Sequence, residues 1–470
     1  MTRATAVARA HAHLDEGAFA ADLARRVAIP TESQNPERAG ELTRYLVEEM
    51  IPALAGMGFS TRIVEEPRAK GPFLLAERRE GDDLPTVLGY GHGDVIRGLE
   101  EAWESGLSPW TLTERGGRWY GRGVADNKGQ HAINLAAQRA VLETRGRLGF
   151  NARWLIETGE ETGSPGLREV ARAHRDALAA DVLIGSDGPR LNADRPTVYL
   201  GTRGGASFDL VFEAREGGHH SGNWGGLLSN PAVRLAHAIA SLLGPTGQIR
   251  VSELVPRGGV PDNVRRALSS CELEAGPGLP AIDPGWGEPG LTGPEKVFGW
   301  CALEILAMEA GTPATPVNAV PPRAWARLQL RFVVGIDMGD IVPAVRRHLD
   351  RHGFGDVRVE PVREEVFPAT RLDPDNPWVG WALASIERTT GKAPTLLPNL
   401  GGSLPNDTFS DILGLPTIWV PHSYSGCSQH APNEHLPIAL AREALGLMAG
   451  LYWDLGEGGA PLRPVRAADR

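Results

Sequence analysis

The first 200 residues alternate between helix-like and strand-like patterns of hydrophobic and polar positions. Apolar residues recur every three or four positions from about 5 to 27 and from about 38 to 56, which predicts helices. Residues 129–144 and 166–179 also have the composition of helices. Short apolar runs bounded by turn residues predict strands at Phe73–Ala76, Thr86–Tyr90, Ala152–Ile156 and Val182–Ile184. This alternation predicts an α/β domain with a mostly parallel sheet flanked by helices.

A different pattern begins after Gly204, where apolar and polar residues alternate with period two, as in half-exposed antiparallel strands. The predicted elements of this part are strands at 207–213, 324–334 and 357–359 and helices at 230–243 and 340–351. Their order is typical of a small α+β domain inserted into a larger one. We therefore predict one domain made of 1–202 and 371–470, and an inserted α+β domain over 203–370.

The last hundred residues return to the first pattern. They predict a helix at 378–390, a strand at 417–420 and a final helix at 438–455. The stretch from about 245 to 300 is rich in glycine and proline and weakly patterned, so we interpret it as an extended insertion.

Composition narrows the class of partner. The 470 residues carry a formal net charge of −10, which disfavours a phosphate-binding or nucleic-acid-binding surface and favours a small-molecule substrate. The three cysteines, Cys271, Cys301 and Cys427, are far apart and lack Cys-x-x-Cys spacing, as in reduced intracellular proteins. The N-terminus lacks a signal-peptide core, and no apolar run is long enough to cross a bilayer. We expect a cytoplasmic protein without a membrane partner.

Three carboxylates, Glu157, Glu160 and Glu161, follow the predicted strand Ala152–Ile156 within five residues. A lone Glu-Glu pair is usually a solvated turn, but adjacent carboxylates at the end of a buried strand need a cation or a proton between them. The segment His92-Gly-Asp94 follows the strand Thr86–Tyr90. A histidine there can bind a cation through one nitrogen while an aspartate fixes its tautomer.

Further Asp, Glu and His residues stand at similar places: Asp126 before a helix, Asp187 after Val182–Ile184, and His430 and Glu434 beyond the strand 417–420. The ends of parallel strands meet at one edge of a sheet, where ligands collect. Imidazoles with carboxylates and no thiolate suit zinc best, with manganese or cobalt also possible. A shared carboxylate can bridge two ions that activate water for hydrolysis.

Two glycine-rich segments partly match the pattern of nucleotide-binding turns. They are Gly89-x-Gly91-x-Gly93 and Gly121-x-Gly123. In both, an aspartate stands where the dinucleotide fingerprint requires its third glycine, Asp94 in the first and Asp126 in the second. An acidic residue there repels phosphate and favours a cation.

Together these residues resemble the M20 metallopeptidase family, which includes carnosinase-like dipeptidases, carboxypeptidase G2, acetylornithine deacetylase and succinyl-diaminopimelate desuccinylase. The matching segments are His92-x-Asp94, Gly121-Arg-Gly-x-x-Asp126-Asn-Lys-Gly129, Glu157-x-x-Glu160-Glu161-x-Gly-Ser164, Ser186-Asp187 and His430-x-x-Asn-Glu434. The resemblance implies a zinc-exopeptidase-like catalytic domain with two divalent metal ions. It also implies that the inserted domain is a lid, through which two copies of the chain commonly associate as a homodimer.

The resemblance also implies a role for each matched residue. His92, Asp126 and Asp187 would hold one metal, and Asp126, Glu161 and His430 the other, so that Asp126 bridges them. Asp94 would orient His92, and Glu160 would be the general base. The resemblance further implies a cis peptide bond between Asp126 and Asn127.

The inserted domain contains matches of its own. Gly218-His219-His220-Ser221-Gly222 resembles a segment whose histidine binds the oxyanion, often across the dimer; His220 precedes Ser-Gly and is our choice over His219. Asn318 and Arg331 resemble lid positions that contact substrate, and Arg331 suits a carboxylate. Gly402 and Ser403 resemble a loop that receives the carboxyl end of the substrate.

The function implied is hydrolysis of a dipeptide or a related carboxylate-bearing amide, with water as nucleophile and Glu160 as general base. The first alternative on the same site is deacylation of N-acyl amino acids. A serine hydrolase is disfavoured because the chain has no Gly-x-Ser-x-Gly segment, and nothing marks Cys427 as an activated thiol. A metal-bound binding or scaffold protein without turnover is the non-enzymatic alternative.

Overall fold

The computed structural model describes residues 1–273 and 280–461, and only the backbone of 363–365. The chain forms two compact units. Unit 1 consists of Met1–Leu200, Leu372–Leu397 and the residues from Leu404 onward. Unit 2 consists of Gly201–Arg371 and Pro398–Ser403. The short segment Pro398–Ser403 thus belongs to unit 2, whereas the predicted division places it in the first domain.

Most strands are short, as expected of a chain with many turn residues. In chain order they are β1 Ser60–Val64, β2 Phe73–Arg78, β3 Thr86–His92, β4 Thr113–Arg115, β5 Arg118–Tyr120, β6 Asn151–Glu157, β7 Val182–Gly185, β8 Pro189–Arg190, β9 Thr197–Tyr199, β10 Gly204–Glu213, β11 His219–His220, β12 Ala302–Ala310, β13 Ala319–Val320, β14 Arg323–Phe332, β15 Arg358–Phe367, β16 Thr395–Leu397, β17 Thr417–Trp419, β18 Ser423–Tyr424 and β19 His435–Pro437.

The α-helices in chain order are α1 Arg3–Asp15, α2 Ala18–Val27, α3 Ala39–Tyr45, α4 Ile51–Ala55, α5 Lys128–Arg145, α6 Leu167–Ala173, α7 Arg175–Leu178, α8 Ser221–Trp224, α9 Pro231–Leu242, α10 Asp262–Leu268, α11 Gly293–Phe298, α12 Ile341–Arg351, α13 Pro377–Thr390 and α14 Ile438–Leu455. Several begin at side-chain caps: Asn230 accepts a hydrogen bond from the amide of Ala232, and Asn376 from that of Trp378. Among the described residues, no helix combines the length and apolar character needed to cross a membrane.

Unit 1 is built on a mixed eight-stranded sheet in the order β1-β2-β6-β3-β7-β17-β9-β16. Its middle strands β6, β3, β7 and β17 run parallel to one another. Helices α1, α5 and α14 pack together beside this sheet, and their apolar faces join one buried core with the strands. The predicted α/β class with a mixed, mostly parallel sheet is confirmed.

Unit 2 contains an antiparallel four-stranded sheet in the order β12-β14-β10-β15. In β14, buried and half-exposed residues alternate from Ala324 to Phe332, as the period-two pattern predicted. Helices α9 and α12 cover the buried face and share a separate core with these strands.

The structure differs from the sequence-based prediction most clearly between 245 and 310. The described part of the glycine- and proline-rich stretch is not simply extended, because it contains α10 and α11; residues 274–279 of that stretch lie outside the described residues. The sequence predicts no element over 302–310, which form strand β12. The segment is rich in Ala, Leu, Glu and Met, which favour helices, but pairing with β14 makes it a strand.

Gly89 and Gly91 lie inside strand β3 and not in a nucleotide-binding turn. A Cβ on Gly89 would lie 2.8 Å from the ring of Trp154, and one on Gly91 would lie 2.6 Å from the Cβ of His131. These glycines therefore let Trp154 and His131 pack directly on the strand backbone.

We predict that Gly89→Ala lowers the free energy of unfolding by about 1–3 kcal/mol, because the added methyl group overpacks the contact with Trp154. The matched control is Gly380→Ala in helix α13, where a Cβ would meet nothing within 4 Å. The control should be unchanged or more stable, since alanine favours a helix interior over glycine. Urea unfolding measures both, and equal midpoints for the two variants would contradict the prediction.

Candidate metal centre

The candidate residues of unit 1 follow the ends of its parallel strands. His92 is the last residue of β3, Glu157 is the last residue of the neighbouring β6, and Asp187 lies two residues after β7. Because β6, β3 and β7 are adjacent and parallel, their carboxyl ends share one edge of the sheet. The strand order thus brings together side chains that are far apart in the sequence.

Asp126 and His430 reach the same edge through a different pairing. Strand β19 pairs with β5, and the amide of Gly121 donates to the carbonyl oxygen of Glu434 at 3.1 Å. This pairing holds the loop after β5, which contains Asp126, beside the segment that contains His430. The peptide bond between Asp126 and Asn127 is cis, as the family resemblance implied.

Two groups of three ligand atoms form at this edge, each with its atoms within 4.8 Å of one another. The groups are His92, Asp126 and Asp187, and Asp126, Glu161 and His430. These are the two sets that the resemblance implied.

Asp126 contributes a different oxygen to each group. Its Oδ1 lies 3.1 Å from Nε2 of His92, and its Oδ2 lies 3.4 Å from Nε2 of His430. Nε2 of His92 also lies 3.8 Å from Oδ2 of Asp187, and Nε2 of His430 lies 2.9 Å from Oε2 of Glu161. One carboxylate shared in this way has the arrangement of a ligand that bridges two ions.

The residues present fit divalent metal ions. Oδ2 of Asp187 is buried and has no hydrogen-bond partner in the described part of the chain, and it lies 3.8 Å from Nε2 of His92. A buried carboxylate oxygen without a donor is costly unless a cation satisfies it. Two imidazoles and three carboxylates form a donor set that suits zinc, manganese or cobalt. Side-chain exposure of 57% leaves His430 open to solvent, whereas His92 is fully buried.

The electrostatics of the site also favour a cation. Burial, together with the charge of Asp126, raises the pKa of Glu161 to about 7 and that of Asp187 to about 6. Burial likewise raises the pKa of Glu160 well above its usual range, with the neighbouring carboxylates adding to the shift against the opposing charge of His92. Hydrogen bonds to Asp126 and Glu161 raise the pKa of His430 to about 11. Metal ions at this site would displace these protons.

Asp94 supports the site in two ways. Its carboxylate oxygens accept hydrogen bonds from the backbone amides of Glu160 and Glu161, each at 3.1 Å, and so hold the turn that carries both glutamates. Nδ1 of His92 lies 3.1 Å from the carbonyl oxygen of Asp94 and 3.4 Å from its Oδ1. The backbone carbonyl is therefore the nearer partner of the imidazole that Asp94 was predicted to orient.

Glu434 is a residue to which the sequence assigned no role, although it belongs to a matched segment. Its buried carboxylate accepts hydrogen bonds from the backbone amides of Gly123, Ala125 and Asp126, and it pairs with the buried Arg122 at 2.9 Å. These contacts hold the loop that presents Asp126. The available signal was an acidic residue four positions after a candidate ligand, which alone does not identify a partner.

Glu157 is buried beside the site and is not a member of either group. Its Oε1 accepts hydrogen bonds from the hydroxyls of Tyr90, at 2.8 Å, and Ser164, at 2.9 Å, while its Oε2 has no partner within residues 1–273 and 280–461. Burial raises the pKa of Glu157 to about 7. Glu157 therefore connects the end of β6 to the turn at Ser164.

Two predicted residues of unit 2 lie side by side. His220 pairs with Ala319 across β11 and β13, and the carbonyl oxygen of Asn318 accepts hydrogen bonds from the amide and hydroxyl of Ser221. The Nδ1 of His220 accepts a hydrogen bond from the amide of Gly222 at 3.1 Å. The exposed imidazole therefore carries its proton on Nε2 when neutral and can donate there.

The remaining predicted residues also meet within unit 2. Arg331 donates from Nη1 to Oγ of Ser403 at 3.3 Å, and Gly402 precedes that serine in an exposed loop position. Arg203, which the sequence did not single out, donates to the carbonyl oxygen of Gly401 at 3.2 Å. In the sequence, Arg203 is marked by its place in the Gly-rich segment where unit 2 begins, and this place alone does not predict a role.

Cys427 is not an activated nucleophile. Its thiol is fully buried, and burial raises its pKa to about 12. A thiolate is the reactive form, so a cysteine hydrolase centred on this residue is disfavoured.

We predict that Glu434→Gln lowers zinc affinity by about 10–100-fold, because the neutral amide holds the Asp126 loop less strongly. Competition with a chromogenic chelator measures the affinity. Glu295→Gln is the matched control, since Glu295 is also buried and arginine-paired but lies in unit 2. Wild-type affinity in the Glu434 variant would contradict the supporting role.

Comparison with known proteins finds peptidases similar to this chain in sequence and in fold. A Cysteinylglycine-S-conjugate dipeptidase of Corynebacterium striatum is 29% identical over 344 residues, which cover 71% of this chain and 72% of the relative. A human Beta-Ala-His dipeptidase is 25% identical over 402 residues, which cover 82% of this chain and 78% of the relative. Among solved structures, the M20 family metallo-carboxypeptidase Sso-CP2 of Sulfolobus solfataricus has a TM-score of 0.74 at 22% identity, covering 94% of this chain and 99% of that one.

The family itself follows from a match along most of the chain. A profile of peptidase family M20/M25/M40 matches residues 88–454, a range that contains all five candidate ligands as well as Glu160. The chain belongs to peptidase family M20/M25/M40.

Proposed function

We propose that this protein is a dinuclear-metal dipeptidase that hydrolyses the amide bond of a dipeptide with a free carboxyl terminus. The observation that carries the proposal is the position of Asp126, whose two oxygens face two separate ligand groups. Two similar proteins are named as dipeptidases, one for cysteinylglycine-S-conjugates and one for Beta-Ala-His. These names favour dipeptides as the substrate class.

His92, Asp126 and Asp187 would hold one ion, and Asp126, Glu161 and His430 the other. Zinc is the ion that this donor set favours, ahead of manganese or cobalt. Two such ions would lower the pKa of the attacking water and polarise the scissile carbonyl.

Glu160 is the proposed general base. Glu160 is partly buried beside the two ligand groups but belongs to neither of them, so its carboxylate is not taken up as a metal ligand. It would take a proton from the attacking water and return it to the leaving amine. Asp94 holds the turn in place through the amides of Glu160 and Glu161, so one glutamate can move a proton while the other remains a ligand.

Two further contacts with substrate belong to the proposal. The Nε2–H of His220 would donate to the developing oxyanion. Arg331, Ser403 and Gly402 would receive the substrate carboxylate, and Asn318 would support the His220 segment through its carbonyl oxygen.

A panel of dipeptides and N-acyl amino acids, assayed with zinc, manganese and cobalt, tests the substrate class. Turnover confined to N-acyl amino acids would identify a deacylase instead, and absence of turnover with two ions bound would indicate a binding protein.

We predict that Glu160→Gln keeps two metal ions per chain but lowers kcat by about 10²–10⁴-fold, since the amide cannot accept the proton. Metal content by atomic emission and initial rates on the best dipeptide are the measurements. Glu101→Gln, at an exposed position, serves as the control and should retain full activity. A rate close to wild type in the Glu160 variant would assign the base elsewhere.

The proposal includes a homodimer formed through unit 2. Strand β12 is an edge strand of the four-stranded sheet, and it exposes Ile305, Leu306 and Met308. An edge strand with unpaired backbone groups and apolar side chains is a template for pairing with another strand. A second copy of this chain offers a matching edge under two-fold symmetry.

We predict a dimer by light scattering, and a shift toward monomer for Leu306→Lys, because a charge in the paired edge opposes association. Val233→Lys, at an exposed position of α9, is the control and should remain dimeric. A monomeric wild-type protein would exclude the dimer.

The proposed compartment is the cytoplasm. Cys271, Cys301 and Cys427 are thiols in the structure, and no disulfide joins them. Three buried thiols fit a reducing environment.

A further inference from the structure

Unit 2 contains a cavity of about 500 Å³ that the proposed chemistry does not use. Its lining combines residues from the glycine- and proline-rich segment, such as Trp286 and Val297, with Arg203 and with Arg331 of strand β14. The cavity therefore begins at the arginine that the proposed function assigns to the substrate carboxylate and continues into a segment with no predicted role. Its size and mostly apolar lining are typical of small-molecule pockets.

Two cationic side chains line this cavity without a carboxylate at ion-pair distance among the described residues, although Glu304 interacts with Arg203 at longer range. Arg203 and Arg331 form hydrogen bonds to neutral groups, Gly401, Gln329 and Ser403, and neither has an ion pair among the described residues. Burial and the charge of Arg331 lower the pKa of Arg203 to about 10. Two half-buried guanidinium groups that repel each other favour a carboxylate placed between them.

A third donor is also unsatisfied. Trp300 is 8% exposed and lines the cavity, and its indole N–H has no hydrogen-bond partner among the described residues. Buried tryptophan N–H groups usually find an acceptor, which a bound ligand would supply here.

The rest of the cavity favours an apolar ligand group over an acidic one. Trp286, Ile282 and Val297 supply apolar surface. Three carboxylates, Asp283, Glu288 and Glu304, also face the cavity. Glu304 interacts with Arg203. Lys296 also lines the cavity, and its Nζ donates to the carbonyl oxygen of Trp286. The two arginines are therefore the place for a carboxylate, and the apolar surface of Trp286, Ile282 and Val297 is the place for an apolar side chain.

We propose that this cavity binds the carboxyl-terminal residue of the substrate, with Arg203 joining Arg331 on the carboxylate and Trp286 and Trp300 enclosing a large apolar or aromatic side chain. The inference rests on the proposed dipeptidase function and names its substrate class. A carboxyl-terminal glycine, as in Cys-Gly, has no side chain and would leave most of the cavity empty. An aromatic side chain, which buries about 150–250 Å², would fill the cavity.

The test compares Ala-Phe with Ala-Gly as substrates of the metal-loaded protein. Wild type should hydrolyse Ala-Phe with a kcat/KM at least about tenfold higher, since one added methylene in an apolar pocket already changes kcat/KM by about 10–200-fold. Val297→Phe, which fills the cavity, and Trp286→Ala, which removes one wall, should lower kcat/KM for Ala-Phe and leave that for Ala-Gly unchanged.

Arg203→Met should raise KM for both dipeptides by similar factors with little change in kcat, because both substrates share the carboxylate. Matched controls are Val233→Phe on α9 and Trp325→Ala on β14, neither of which lines the cavity. Both should keep the wild-type preference, and thermal unfolding checks that each variant is folded.

Calorimetry with the free amino acids L-phenylalanine and glycine separates this inference from the dipeptidase proposal. Phenylalanine should bind and glycine should not, with loss of binding in Val297→Phe, whether or not the protein turns over. Hydrolysis of both dipeptides at equal kcat/KM, unaffected by Val297→Phe, would overturn the pocket and leave the dipeptidase intact. Phenylalanine binding without any dipeptide turnover would retain the pocket and reject the dipeptidase.

Discussion

Repulsion among carboxylates at the ends of adjacent parallel strands is the constraint on which the rest of unit 1 depends. Asp126, Glu161 and Asp187 lie close enough that burial and mutual repulsion raise the pKa of the latter two. Such a cluster is unfavourable unless protons or cations neutralise it. The sheet nevertheless gathers these groups, because its four middle strands are parallel and neighbouring and their ends share one edge. A pair of divalent ions held by these residues would relieve the repulsion and would supply the chemistry of hydrolysis.

The surrounding polar groups hold the carboxylates in place without neutralising them. Asp94 accepts the amides of the turn that carries Glu160 and Glu161, and Glu434 accepts the amides of the loop that carries Asp126. Both supports are buried carboxylates bound to backbone N–H groups, which are donors that cannot move away. The flanking backbone is therefore positioned before any ion or substrate binds, which keeps the distances between ligands short.

Unit 2 has the opposite electrostatic problem at its cavity. Arg203 and Arg331 are cations near one another, and Trp300 carries an N–H without an acceptor. The carboxylate cluster of unit 1 therefore needs positive charge, and the two arginines at the cavity of unit 2 have no carboxylate at ion-pair distance among the described residues. The free carboxylate of a dipeptide would supply that partner to the two arginines.

The sequence by itself determined the helices and strands that are encoded by the spacing of neighbouring hydrophobic and polar residues. Helices α13 and α14 lie within one residue of their predicted bounds, since amphipathic spacing and caps are encoded in neighbouring residues. The same holds for the candidate ligands, because His92, Glu161 and Asp187 each stand just after an apolar strand run. Charge and residue type were enough to suggest a metal there, and the family resemblance added the pairing of ligands.

Tertiary structure decided what depends on residues far apart. Strand β12 has a helix-favouring composition and becomes a strand only because β14 pairs with it. Glu434 acquires its role from an amide 311 positions away, and the cavity arises where the glycine- and proline-rich segment meets Arg203 and Arg331. Hydrogen bonds and packing across such separations leave no periodic trace in the sequence, so only the folded chain reveals them.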